Sequence, residues 1–138
     1  MITKEQLIGT CSLVSYTMEK EDGTVCYPLG KDCKAYLIYT ADGHVSAQMS
    51  RPGRKAYESG SLHDGKMEEM AAAAHGYMTY CGTYLFQPEK SCVIHNIEIS
   101  MNPLWENISQ TRNVDFDGTY LNIFASINGA SLIWKKSK

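Results

Sequence analysis

The sequence predicts an all-β fold, a single eight-stranded, up-and-down antiparallel barrel with one helix between strands three and four. Three observations lead to it. Runs rich in β-branched and aromatic residues recur along the chain, separated by turn residues. Asp42-Gly43, Asp117-Gly118 and Asn128-Gly129 each lie between two such runs, and that dipeptide is a strong short-range hairpin signal. Only the segment 66–78 carries a clear helical stripe. Consecutive hairpins make a meander, and eight strands close on themselves because closure leaves no unpaired edge.

The elements follow in order. Thr3 to Gln6 reads as a capped helical entry, with Gln6 three residues after the cap. Thr10 to Glu19 is the first strand, ended by Glu21-Asp22-Gly23. The stretch from Thr24 to Asp32 is loop, with a short edge strand at Val25 to Tyr27. Lys34 to Thr40 and Val45 to Ser50 flank the first Asp-Gly turn. Arg51 to Gly65 is a long loop of the kind that covers sites. Lys66 to Met78 is the helix, and its Met67, Met70, Ala71, Ala74, Tyr77 and Met78 stripe is expected to plug or flank an open barrel end. Thr79 to Gln87, Ser91 to Met101, Ile108 to Phe116, Tyr120 to Ile127 and Ala130 to Lys136 complete the strands. The 138 residues fit one domain, 1–138, large enough to need neither disulfide nor structural metal.

Composition excludes several function classes. Net charge is −2 and no long basic run is present, which argues against nucleic acid as a partner. No segment reaches the ~20 apolar residues of a membrane helix. The five cysteines (11, 26, 33, 81 and 92) contain no C-x-x-C, and the histidines at 44, 63, 75 and 95 are scattered, so no metal site is expected. Free thiols without a signal-peptide pattern point to a reducing, cytoplasmic setting. No dinucleotide fingerprint, haem motif or G-x-S-x-G is present, so no cofactor is expected, and redox and serine-hydrolase chemistry are disfavoured.

Alternation sorts the strands into faces. Tyr80, Gly82, Tyr84 and Phe86 share one face, as do Val93, His95, Ile97 and Ile99, and Gln110, Arg112, Val114 and Phe116. For the strand from Lys34, either Tyr36 and Ile38 or Leu37 and Tyr39 face inward. Gln48 shares a face with Ser46. Polar heads among apolar neighbours must bond each other or a ligand, because an unpartnered one costs roughly 1–3 kcal/mol. The candidate ligand-binding residues are therefore Tyr39, Gln48, Tyr80, Tyr84, His95, Trp105, Gln110 and Arg112, with Met49 and Met70 beside Trp105 near the mouth. Each has an ordinary alternative: a core tyrosine, a satisfied core histidine, a surface arginine. Arg112 is the most informative, since an inward guanidinium calls for an anion.

Leu7-Ile8-Gly9-Thr10-Cys11, Tyr27-Pro28-Leu29-Gly30, Tyr36-Leu37-Ile38-Tyr39-Thr40, Ser46-Ala47-Gln48-Met49, Arg51-Pro52-Gly53-Arg54, Tyr80-Cys81-Gly82-Thr83-Tyr84, His95, Pro103, Trp105, Gln110 and Arg112 occur in an order that resembles the lipocalin-like domain family. Cys11 stands where that family's Gly-Thr-Trp element has tryptophan. The resemblance implies a calycin-type barrel with a central cavity, in a family of small bacterial and fungal proteins, some tied to secondary metabolism. Two functions are then expected. One is binding of a small, largely apolar metabolite in the barrel. The other is a cofactor-free cyclase or isomerase, with His95 as acid or base and Arg112 stabilising developing charge. A barrel filled solid by its own side chains is a third possibility, and cavity volume separates it from the others.

Overall fold

In the computed structural model, residues 1–125 and 129–137 are described. The expected strand end at Ser126 and Ile127, and Asn128 of the third turn, lie outside them. Strands β1 (Gly9–Glu19), β2 (Val25–Cys26), β3 (Lys34–Tyr39), β4 (His44–Ser50), β5 (Tyr77–Gln87), β6 (Cys92–Ser100), β7 (Ile108–Phe116), β8 (Tyr120–Ala125) and β9 (Ala130–Lys136) form one antiparallel sheet. β1 also pairs with β9, which closes the barrel, and the two-residue β2 is only a flap on the far end of β1. The eight-stranded barrel expected from the hairpin signals is present, and Gly43 and Gly118 take the positive φ those turns require.

One end of the barrel is sealed. Helix α1 (Lys4–Leu7) is held by a reciprocal cap: Gln6 N–H donates to Thr3 Oγ1 at 3.2 Å, and Thr3 N–H donates to Gln6 Oε1 at 2.9 Å. Leu7 is driven fully into the core. Lys136, the last residue of β9, donates from Nζ to the Gln6 and Ile8 carbonyls, both at 2.7 Å. Carbonyls at a helix end lack intrahelical partners, and a lysine there satisfies them. The opposite end is bordered by the segments 51–76 and 101–107.

Two bulges set which side chains face inward. On β1 the register against β9 slips between Leu13 and Ser15. Val14 is pushed outward, and Tyr16 joins Cys11 and Leu13 on the inner side. On β5 and β6 the register slips at Cys81/Gly82, opposite Glu98. A Cβ on Gly82 would lie 1.9 Å from the Asn96 carbonyl oxygen, so this close approach admits only glycine. Beyond the slip Ile99 points outward, 60% exposed, which corrects the expectation that it shares the face of Val93, His95 and Ile97.

Helix α2 (Met67–His75) is shorter than the sequence suggests, because Gly76 ends it and Tyr77 already begins β5. Its apolar stripe is not a plug. Met67 is 83% exposed and no α2 residue is buried. The helix is tethered by polar contacts instead: Glu69 accepts from the backbone N–H groups of Lys66 and Glu58, and Arg54 donates to the Ala73 carbonyl.

Candidate functional site

Inside the barrel, towards its open end, lies a cavity of about 240 Å³. Inward residues of β3, β4, β5, β8 and β9 make its apolar wall, including Leu37, Ala47, Met49, Met78, Ile123 and Leu132. Trp105, on the 3-10 turn Pro103–Trp105, and Asn102 close over the rim. The interior is therefore not packed solid. A larger cleft of about 620 Å³ lies between the 51–58 segment and α2, outside the barrel and lined by charges of both signs.

The sequence candidates divide into three groups. Tyr80, His95, Trp105 and Arg112 line the cavity. Tyr39, Tyr84 and Gln110 face inward without lining it. Tyr39 sits behind His95. Tyr84 packs edge-on against Tyr39, ring centroids 5.0 Å apart, and donates to the Thr40 carbonyl at 2.7 Å at the sealed end. Gln110 holds Arg112, its Oε1 accepting from Nη1 at 3.1 Å. Gln48 is a correction, since it points to the outside of β4, where its Oε1 accepts from Tyr77 Oη at 2.6 Å. The more apolar face, Val45, Ala47 and Met49, takes the core, and Gln48 has the opposite parity. Met70, on exposed α2, also stays out of the cavity, whereas Met49 lines it.

His95 is 1% exposed and bonded at both ring nitrogens, to Tyr39 Oη at 2.6 Å from Nε2 and to Tyr80 Oη at 2.9 Å from Nδ1. Burial pushes its pKa down to about 3, and the Arg112 charge acts in the same direction. Burial pushes the Tyr80 hydroxyl up to about 12 against the opposing pull of Arg112, and raises Tyr39 well above its ordinary range. All three groups are neutral at neutral pH, and the imidazole has no nitrogen left for a substrate.

Arg112 is the only charged side chain on the cavity wall among the described residues. Its guanidinium carbon lies 5.6 Å from the Trp105 ring centroid, a cation–π contact, and Nη1 also donates to the Thr111 carbonyl. The ion pairs among the described residues, His44–Asp42 and Lys66–Glu58, do not involve it. Three wall residues with polar side-chain atoms are absent from the sequence-based candidates. Tyr16 turns inward only because of the β1 bulge. Asn102 sits on the rim. Trp134, on β9, is 2% exposed, and its Nε1–H is buried without a partner among the described residues. The alternation Ala130, Leu132, Trp134 along the last strand is the sequence signal that finds it.

No cluster of potential metal ligands occurs among the described residues, and none of their helices is long and apolar enough to cross a membrane. The chain is 34% identical over 85 residues to the 4'-hydroxy-3'-methoxypropiophenone carrier protein of Aspergillus oryzae, covering 57% of this chain and 77% of that protein. Its fold is similar to that of a lipocalin-like protein from Bacteroides uniformis, with a TM-score of 0.52 at 19% identity, over 95% of this chain and 98% of that one. The model of the lipocalin-like domain matches residues 8–138, and the chain belongs to that family.

Proposed function

We propose that this protein binds a small, largely apolar metabolite of secondary metabolism inside its barrel and carries it without transforming it. The observation that carries the reading is the 240 Å³ interior cavity, apolar over most of its wall with a few convergent polar groups. An engineered apolar cavity of about 150 Å³ accepts benzene. The volume here therefore suits one aromatic ring with short substituents. A relative named as carrier of a one-ring phenolic ketone supports the same class of ligand. Carriage is favoured over a cyclase or isomerase because His95, the natural acid or base, has both nitrogens engaged by tyrosines. Five free cysteines support a reducing, cytoplasmic location.

The test is native mass spectrometry on protein purified from its own source, beside a Met78→Trp variant that fills the cavity with an indole. The expected result is a bound species of roughly 100–200 daltons, the size of one substituted ring, unaltered by incubation and missing from the folded variant. An equal load on both proteins places the ligand elsewhere, and conversion of the bound species to a product replaces carriage with catalysis.

A further inference from the structure

Resting on the carrier reading, the hydrogen-bond bookkeeping of the cavity specifies what the ligand presents to it. Two tyrosine hydroxyls and one neutral imidazole bring three protons to two hydrogen bonds. One hydroxyl must accept from the imidazole N–H, which leaves its own hydrogen for another acceptor. Tyr39 is 1% exposed, lies away from the cavity wall and has His95 as its hydrogen-bond partner, so an orphaned hydrogen there costs roughly 1–3 kcal/mol. Tyr39 therefore donates to Nε2, Nδ1–H donates to Tyr80 Oη, and the spare hydrogen is that of Tyr80, which borders the cavity.

That hydrogen joins a second donor on the same wall, for Arg112 is a cation with no ion pair among the described residues. The Trp134 Nε1–H, although unpartnered among the described residues, is closed off from the cavity as from solvent. Gln110 Oε1 already accepts from Arg112, and Asn102 Oδ1 from the Leu104 N–H. We infer that the cavity recognises its ligand chiefly through two donors, Arg112 and Tyr80, and so selects a single-ring aromatic molecule bearing acceptor oxygens, with an anionic oxygen, carboxylate or phenolate, set against Arg112. A cationic ring of the same size meets a repelling charge.

Four probes of similar size decide the matter by isothermal titration calorimetry: benzoate, acetophenone, ethylbenzene and benzylammonium. The expected order of affinity is benzoate, then acetophenone, then ethylbenzene, with no binding of benzylammonium. Arg112→Met, and Arg112→Gln as a second variant, should weaken benzoate about tenfold or more, the scale of one charge-assisted hydrogen bond, and leave ethylbenzene unchanged. Tyr80→Phe should weaken acetophenone several-fold. Phenolate replaces carboxylate as the preferred anion if 4-nitrophenolate outcompetes benzoate. Ethylbenzene or benzylammonium binding as tightly as benzoate overturns recognition by Arg112 and Tyr80 while leaving an apolar carrier standing. Failure of every probe to bind the wild-type protein overturns the carrier reading as well.

Discussion

At the sealed end of the barrel, Lys136 reaches carbonyls at the end of α1, Tyr84 donates to the Thr40 carbonyl, and the Tyr39–His95–Tyr80 relay occupies both imidazole nitrogens. At the open end, Arg112 has no carboxylate partner among the described residues. Burying a polar group is costly unless it is bonded. Paired groups at one end therefore hold the fold, and the Arg112 charge at the other awaits a ligand. The relay lies at the boundary and belongs to both: it fixes the wall and leaves one hydroxyl hydrogen facing the cavity.

Substitutions separate the two ends. The largest effect is expected at the bulge that aligns them. Gly82→Ala drives a methyl into the Asn96 carbonyl and should cost about 4 kcal/mol or more, in the range reserved for such clashes, read as loss of the cooperative urea transition. His95→Leu leaves two buried hydroxyls without their partner and should cost roughly 2–5 kcal/mol by the same measurement. Its titration gives a matching pH signature. The folded pKa of His95 is depressed to about 3 from 6.5, so the unfolded chain takes up the proton first. Stability is full above pH 6.5 and falls as pH drops from there towards 3, and His95→Leu should flatten that slope. Lys136→Met should cost about 1–3 kcal/mol, because the carbonyls at the end of α1 lose a charged donor. Arg112→Met should change stability by less than about 0.5 kcal/mol, as expected of a group that serves a ligand more than the fold. A large loss of stability there would erase the distinction between the ends.

Most of the barrel is legible in the sequence because hairpin turns and alternation are local signals. The grouping of Tyr80 with Tyr84 and of Gln110 with Arg112 follows directly from them, whereas that the Arg112 face is the inner one is decided only by the closed barrel. Val93, His95 and Ile97 on β6 follow in the same way. Alternation fails where a bulge inserts a residue. Tyr16 and Ile99 both lie beyond one, and nothing in the residues around Val14 announces the slip. Gln48 shares its face with Ser46 as alternation predicts, but that face is the outer one, since alternation gives two faces and only relative apolarity chooses between them. The α2 stripe is a genuine helical pattern, but periodicity cannot say what covers it, and here the tethers are Glu69 and Arg54. Trp134 is hidden differently: its Nε1–H lacks a partner among the described residues, which only three-dimensional packing reveals.

The most direct test of the ligand-facing open end uses Trp105, whose ring lies against the Arg112 guanidinium on the cavity wall. In a proton–nitrogen NMR titration, benzoate should give a saturable shift of the Trp105 indole N–H signal as the anion seats against that guanidinium. The shift should weaken in Arg112→Met. A Trp105 indole signal that stays fixed at saturating benzoate would contradict a ligand held by Arg112.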